Sequence, residues 1–505
     1  MRKGRGNGHE TLERAGGARK LPRSGTVMDG GFEGFADARQ AIIPVVLCGG
    51  TGTRLWPVSR AGMAKQLLAM QDGETLLQIT LRRVMGPGFA APVVVGSAPQ
   101  RFTLRDQVEG IVPGARIVVE PERRDTLAAV LLAAALIARE DPDAVVAVVP
   151  SDHLVRDGEA FRSAVALAAA RVREAGVAVI GIVPDAPSTA YGYVRPGHAS
   201  GPGCFSVARF VEKPEEPLAR RLIAEGCLWN AGIFCFRAGW LVAAMETVDP
   251  QAVAAVGGAV DGLRREHGFL VPGPGFADIR AISFDHGFME RTRDAHVVPA
   301  GFRWSDLGDW NAVWAAADKD GDGNAIRGAG LAIDARGNMI HSEGRLVCAL
   351  GVEGLAIVET PDAVMVAPRE RAQDVKALVG ALAERRRPEA TEHARTHRPW
   401  GWFQTTDLGE RFRVKRIVVK PGAMLSLQRH RHRAEHWVVV RGTAEVTLDG
   451  KVSILRENES TYVAIGAVHR LANRTEGLLE LIEVQTGDYL GEDDIERMED
   501  AFGRV

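Results

Sequence analysis

From Ala41 onward the chain alternates between short β-branched runs and longer Ala- and Leu-rich stretches. The runs "IIPVVLC", "PVVVGS", "ARIVVE" and "AVVAVVP" are apolar at nearly every position, and between them stand "TLLQITLRRVM", "QRFTLRDQV" and "DTLAAVLLAAALIARE". A strand that is apolar on both faces needs cover on both, which the helices between parallel strands supply. The pattern therefore predicts an α/β layer fold built on a mostly parallel sheet. Asp125 stands where the N-cap of the Ala-rich helix is expected. The alternation continues through "VAVIGI", "SVARFVEKP" and "NAGIFCF" to about Ala315.

Between residues 322 and 370 the helical stretches disappear. Short apolar strands with close turn signals, as in "GLAIDARGNMIHSEGRLVCALGVEGLAIVETPDAVMVAP", predict a small β module or a β-helix-like stack of turns. "RAQDVKALVGALAERRR" reads as one amphipathic helix, and Pro388 to Thr396 as a linker. From Arg398, alternating strands such as "FRVKRIVVK" and "HWVVVRGTAEVTLDG", joined by glycine turns, predict an antiparallel barrel or sandwich. The expected division is a tail over 1–40, an α/β domain over 41–320, a β module and helix over 321–387, a linker over 388–397 and an all-β domain over 398–505. The Gly-, Arg- and Glu-rich tail has few residues able to offset ordering entropy and is expected to be disordered; Met28 offers an alternative start. Acidic residues interrupt its basic ones, which weighs against an anion-binding arm.

Composition narrows the partners. At 505 residues the chain exceeds what one core usually serves, consistent with about two to four domains. Hydrophobic residues make up 46%, charged residues 25%, and the net charge of −2 supplies no field for gathering polyanions, so nucleic acid is not an expected partner. The five cysteines, Cys48, Cys204, Cys227, Cys235 and Cys348, have no CxxC or zinc spacing and read as small apolar residues in a reducing compartment. No run approaches about 18 apolar residues, and the basic start lacks the apolar stretch of a secretory signal. A cytoplasmic protein without a membrane partner is expected, and a homo-oligomer is left open.

The candidate chemistry begins at "VVLCGGTGTRLWPVSR", residues 45–60, where small residues follow the first strand directly. A Walker loop would need GK[ST], and a dinucleotide fingerprint would need glycine at Leu55. What remains is Gly49, Gly50, Thr51, Gly52 and Thr53, whose backbone N–H groups can close on phosphate oxygens, with Arg54 adding a planar fork and Lys65 a second cation. A glycine-rich loop alone marks a plain turn more often than a site; together with Arg54 and Lys65 it points to polyphosphate. Asp152, just past "AVVAVVP", stands at the carboxyl edge where open parallel sheets bind ligands, and its carboxylate can hold Mg²⁺, although a lone acidic residue after a strand is more often a helix cap.

A second cluster lies in "KPGAMLSLQRHRHRAEHWVVVRGTAEV", where Gln428, His430 and His432 alternate and on a strand would share one face. Three histidines and a glutamate so close together favour a metal. Arg413, Lys415, Arg416 and Arg470 are candidates for a phosphate; Arg413 and Lys415 share a strand face and Arg416 points away, and a solvated charged face is the alternative for each.

GGTGTRLWPVSR followed by KQLL resembles the signature of sugar nucleotidyltransferases, and LWPVSR that of their mannose-1-phosphate guanylyltransferase branch. "EPERRDTLAAV", "PSDHLV", "YGYV", "FVEKP", "WNAGIFCF" and "WSDLGDWNAVW" continue the resemblance in family order, with Ala64 where proline is usual and Asp125 where asparagine is usual. The resemblance implies a Rossmann-like nucleotidyltransferase domain in which Arg54, Lys65 and Asp152 serve catalysis and Asp306 is a second Mg²⁺ carboxylate. It also implies a sugar-phosphate end made by Gly192, Glu212, Lys213 and Asn230, with Lys213 beside the phosphate, Glu212 on sugar hydroxyls and Gly192 allowing close backbone approach to the substrate.

The histidine stretch resembles the first cupin motif. Anchoring on Gly422 and Gly442 makes the ligands Gln428, His430 and Glu435; a shift by two selects His430, His432 and His436 but puts Met424 at a glycine position. "YVAIGAVHRLAN" resembles the second motif, with His469 as fourth ligand, Gly466 at the turn and Ala464 where proline is usual. A Gln/His/Glu/His set resembles phosphomannose isomerases and suits Zn²⁺, with Mn²⁺ or Co²⁺ also compatible. Together the resemblances imply transfer of GMP from GTP to mannose 1-phosphate, and interconversion of mannose 6-phosphate and fructose 6-phosphate by the barrel. The alternatives are another nucleotide or sugar phosphate in the first domain and a non-catalytic, metal-holding sensor or assembly module in the second. The proton-transfer base of the isomerase is left unassigned, with Lys420 and Glu480 among the candidates.

Overall fold

The computed structural model describes residues 41–50, 52–71 and 73–500, with backbone alone for Thr53, Met70 and Gln71. The expected tail over 1–40 and Thr51 lie outside the described residues.

The apolar runs assemble into an eleven-stranded sheet. Its strands are β1 (Ile43–Cys48), β2 (Val93–Ser97), β3 (Arg116–Glu120), β4 (Val145–Pro150), β5 (Val177–Ile182), β6 (Tyr193–Gly201), β7 (Cys204–Val211), β8 (Leu228–Arg237), β9 (Arg264–Glu266), β10 (Phe269–Val271) and β11 (Ala295–Ala300). They lie in the order β9-β10-β3-β2-β1-β4-β8-β5-β11-β7-β6. The run from β10 to β4 is parallel, as is β5 with β11, whereas β8 runs antiparallel to both its neighbours. Two cores explain the apolar runs: Val46 packs on one face with Leu77, Leu104 and Phe161, and Val45 on the other with Leu127 and Leu131.

The Ala-rich helix, α1 (Asp125–Glu140), corrects one expectation. Its N-cap is Arg124, and Asp125 is the first helical residue, with φ of 61° and its carboxylate accepting from the Thr126 N–H at 2.7 Å. Asp and Asn are the side chains that best tolerate this left-handed conformation, so aspartate fits where the family usually has asparagine.

Beyond the sheet, strands Ala325–Arg327, Met339–Ser342 and Leu355–Thr360 stack in parallel, and Gly330–Ile333 stacks on Val347–Leu350, the geometry of a short β-helix. The helix expected over 371–387 is a 3-10 turn, Arg369–Asp374, followed by an α-helix, Val375–Glu384. The expected linker holds a short turn, Pro388–Ala390, and a strand, Arg395–Arg398, that pairs with Gly401–Leu408 at the edge of the next sheet. That strand was hidden in the sequence because an edge strand needs no apolar face. The last domain is antiparallel throughout, a six-stranded and a five-stranded sheet around Trp400, Ile417, Trp437, Val439 and Leu481.

The segment after the glycine loop ties these parts together. The Arg60 guanidinium, fully buried, meets both Asp362 carboxylate oxygens at 2.6 Å and also donates to the Glu392 carbonyl. Trp56 donates to the Glu389 carbonyl at 2.8 Å, and the Gly62 N–H to the Thr391 carbonyl at 2.9 Å. Part of the LWPVSR motif is thus a clamp between modules. Among the described residues, no helix is long and apolar enough to cross a membrane.

Candidate active sites

The carboxyl ends of β1, β2, β3 and β4 open onto a cavity of about 570 Å³. Gly49 and Gly50 form one wall, Ser151 and Asp152 another, Glu120 with Arg123 and Arg124 a third, and Asp285 the far end. A Cβ on Gly50 would meet nothing within 4 Å, so its backbone faces open space, whereas one on Gly49 would stand 3.3 Å from a Glu120 oxygen. Gly52 has φ of +63°, and a Cβ there would strike the Lys65 chain at 2.8 Å. Gln66 braces the loop by donating to the Cys48 and Gly50 carbonyls at 3.3 and 3.1 Å.

Lys65 runs beneath this loop, buried. Its Nζ lies 2.9 Å from the Asp152 carboxylate and donates to the carbonyls of Asp306, at 2.5 Å, and Leu307. Burial pushes the Asp152 pKa up, but the Lys65 ammonium outweighs it and holds the carboxylate below its ordinary range. An ionised carboxylate on a cavity wall is a hard oxygen donor suited to Mg²⁺. The Asp306 carboxylate accepts from the Tyr191 hydroxyl at 2.8 Å and the Gly308 N–H at 3.0 Å, and Lys65 stands between this segment and Asp152. Arg54 sits on a single 3-10 turn, Thr53–Leu55, and neither Arg54 nor Lys65 is among the residues walling the cavity.

At the far end Asn230 donates to the Asp285 carboxylate at 2.7 Å and accepts from the Gly232 N–H at 2.8 Å. Glu212, also buried, pairs with the exposed Lys213 at 2.9 Å through one oxygen, while its other oxygen is buried without a hydrogen-bond partner. Asp285 is pushed up to about 6 by burial and then by the Glu212 charge. Gly192 is required here for a different reason than expected: a Cβ would fall 2.4 Å from Glu212 Oε2, so the glycine admits the Glu212 carboxylate.

In the last domain His430, Glu435 and His469 converge, each offering one atom within 4.8 Å of the others, all buried. Glu435 lies 3.1 Å from His430 Nε2 and 3.8 Å from His469 Nε2. His469 Nδ1 faces the Ala467 carbonyl at 3.0 Å, leaving Nε2 toward the cluster, and His430 Nδ1 is buried without a partner. The Gln428 amide is 3.5 Å from His469 Nε2. Arg433, Trp437 and Gln485 all donate to Glu435 and orient it. This buried mixed nitrogen and oxygen set fits a metal ion. His432 and His436 are exposed. The strand ends at His430, so His432 does not share its face; it lies near Asp488, and His436 stacks with Tyr462.

Comparison with known proteins follows the same three-part layout. The nucleotidyl transferase model matches residues 43–323, the MannoseP isomerase/GMP-like beta-helix domain residues 328–382, and the mannose-6-phosphate isomerase C-terminal model residues 385–500. The mannose-1-phosphate guanylyltransferase of Escherichia coli K12 is 40% identical over 477 residues, 93% of this chain and 100% of its own. The chain belongs to the mannose-1-phosphate guanylyltransferase family. The xanthan biosynthesis protein XanB of Xanthomonas campestris pv. campestris (strain B100) is 43% identical over 468 residues, 92% of this chain and 99% of XanB. The alginate biosynthesis protein AlgA of Pseudomonas aeruginosa is 43% identical over 471 residues, 92% of this chain and 98% of AlgA. A crystal structure described as mannose-1-phosphate geranyltransferase from Thermus thermophilus superposes with a TM-score of 0.62 at 31% identity, covering 68% of this chain and 99% of that one.

For a guanylyltransferase with an isomerase-type barrel, several basic side chains fall differently from the sequence reading. Lys415, buried, pairs with Glu492 at 2.5 Å, with Arg413 3.4 Å from the same carboxylate. Arg416 pairs with Glu480 at 2.7 Å, away from Arg413 and Lys415 as expected. Arg470 is a correction: it alternates along its strand with the inward His469 and pairs with Glu499 at 2.5 Å. Glu480 is spent on Arg416, and Lys420 reaches Asp106 of the first domain, so neither faces the metal cluster. Sequence reading missed Glu120, Arg123, Arg124 and Asp285 around the nucleotidyl cavity, and Arg433, Glu483 and Gln485 in the barrel. For Arg123 and Arg124 the quoted "EPERRDTLAAV" motif was the available signal. Inward alternation along Leu479–Gly487 was the signal for Glu483 and Gln485.

Proposed function

We propose that the first domain transfers GMP from GTP to mannose 1-phosphate with release of pyrophosphate, and that the barrel interconverts mannose 6-phosphate and fructose 6-phosphate. The observation that carries the first part is the single cavity joining open glycine backbone, an ionised aspartate, two arginines, the buried Glu120 and the half-buried Asp285 at the edge of a parallel sheet. Arg123 and Arg124 on the cavity wall, with the amides of Gly49 and Gly50, match a triphosphate, and Arg54 stands on the turn that follows the loop. Glu120, buried with one oxygen lacking a partner, is an acceptor for the N1–H and amino donors of a guanine edge, which adenine does not present in that arrangement. Glu212, Asn230 and Asp285 match sugar hydroxyls, and the exposed Lys213 the sugar phosphate.

The attacking phosphate oxygen is already an anion, so no side chain has to remove a proton. Catalysis by this chain is positioning and charge neutralisation. Lys65 fixes the Asp152 carboxylate against the loop, and Gln66 holds the loop backbone in place. Asp152, with Asp306 as second carboxylate, would hold Mg²⁺, which when bound offsets the phosphate charge. In the barrel, Gln428, His430, Glu435 and His469 would hold Zn²⁺, Mn²⁺ or Co²⁺, which when bound polarises the sugar oxygens. Lys415 and Arg413 are the phosphate partners there. Burial, and then the neighbouring Glu435 charge, raise the Glu483 pKa.

The test is a matrix of four nucleoside triphosphates against several hexose 1-phosphates, read as pyrophosphate release, beside a mannose 6-phosphate isomerisation assay. GTP with mannose 1-phosphate is expected to dominate. A preference for another pair would overturn the first assignment, and a metal-loaded chain without isomerisation the second.

A further inference from the structure

The barrel cavity around Glu435 and Gln428 measures only about 50 Å³, room for a few waters. A ligand pocket ordinarily needs about 300 Å³ or more. A hexose phosphate that reaches the metal cluster must therefore extend beyond this cavity. Arg398, Phe403 and Glu492 wall the cavity, and the same three residues wall a second one of about 760 Å³. That second cavity belongs to no single module. Gly62, Gln100 and Thr103 of the α/β domain, Asp362 of the β-helix, and the segment from Pro388 to Arg398 all contribute to it.

We propose that the phosphate of the isomerase substrate enters through this junction cavity and is held at the neck between the two cavities by Arg398, Arg413 and Lys415, so that the guanylyltransferase domain forms one side of the isomerase substrate path. The proposal rests on the isomerase reading given above. Arg413 and Lys415 now share the Glu492 carboxylate, and Arg413 Nε is buried without a hydrogen-bond partner. A carboxylate between two cations marks where a phosphate dianion would be stabilised, and displacing it gives three donors to the phosphate oxygens. Arg398 comes from the edge strand before the barrel proper, its guanidinium 5.5 Å from the Phe403 ring centre. Thr103, on the helix Arg101–Glu109 of the first domain, also walls the junction cavity.

The test uses the full, metal-loaded chain with mannitol 6-phosphate, which cannot isomerise, as calorimetric probe. Arg398→Ala is expected to weaken mannitol 6-phosphate binding at least tenfold and to raise KM for mannose 6-phosphate more than it lowers kcat. Thr103→Trp, which narrows the junction cavity, is expected to lower isomerase kcat/KM at least tenfold while pyrophosphate release from GTP and bound metal stay as in the parent; that retained activity reports correct folding. Glu492→Gln is expected to tighten mannitol 6-phosphate binding, a direction that loss of a merely structural ion pair would not produce. An active isomerase indifferent to Arg398→Ala and to Thr103→Trp overturns the proposed path alone. A chain that never isomerises yet binds the probe through Arg398 supports the site and removes the isomerase reading.

Discussion

Replacing Glu120 by glutamine separates base recognition from the rest of the nucleotidyl cavity. Glu120 is 6% exposed, and burial raises its pKa from 4.5 to about 7, with Arg123 opposing and Asp125 adding to the rise. The folded state therefore keeps a proton that the unfolded chain has lost between these values, and stability falls as pH rises through that window. At about 1.4 kcal/mol per pKa unit the full displacement is worth about 3 kcal/mol, all of it expressed above pH 7 or so. Glu120→Gln removes this penalty, so the variant is expected to melt several degrees above the parent at about pH 8 and level with it below about pH 4.5. Toward GTP the effect is opposite. The carboxylate can accept both guanine donors, whereas the amide accepts one and turns an N–H toward the other, a loss of roughly 3 kcal/mol or about a hundredfold in kcat/KM. Pyrophosphate release with GTP and ATP from about pH 6 to 9 reads this directly. The parent's GTP profile should climb near pH 7 as Glu120 ionises, and the variant, which shares GTP's own titration, should lack that limb. A variant that keeps the parent's preference for GTP, or a melting difference flat in pH, would refute the reasoning.

Asp152→Asn should cut GMP transfer by about three orders of magnitude while isomerisation is retained, measured on one preparation; parallel loss of both would indicate misfolding instead. Gly192→Ala places a methyl 2.4 Å from Glu212 Oε2 and 3.3 Å from the Asn230 Cβ, so the KM for mannose 1-phosphate should rise about tenfold with the KM for GTP unchanged; an unaltered sugar-phosphate KM would remove Glu212 from that end of the site. His430→Ala should abolish both bound metal and isomerisation, read by elemental analysis and sugar-phosphate assay, whereas retained metal would remove His430 from the ligand set. Arg470→Ala, whose partner is Glu499 on the outer face, should leave the isomerase KM within about twofold, and a larger change would place it back at the phosphate.

The parts of the sites that sequence disclosed are those whose chemistry is local. Gly49, Gly50 and Gly52 follow a buried strand at once, Asp152 follows another, and Gln428 to Glu435 span two consecutive strands, so each could be read within a few residues. Glu120 and Asp285 were not legible because each looks like an ordinary acid in its own segment. They acquire meaning only by standing across a cavity from residues of other segments of the chain. Arg60 is similar, a buried bidentate partner of Asp362 far along the chain. The strand Arg395–Arg398 escaped because its exposed and half-buried positions carry no apolar alternation.

Periodicity by itself determined the three-part architecture and the glycine loop at the end of the first strand, since these follow from nearest-neighbour geometry along the chain, while the ligand set expected in the barrel came with the resemblance to the cupin motifs. Tertiary structure alone decided that Lys65 turns to Asp152, that Gly192 makes room for Glu212, that Arg470 faces outward and that the barrel cavity meets a junction walled by the first domain. The reason is that a side chain's charge and burial depend on what distant segments bring against it, and no local pattern encodes those distances.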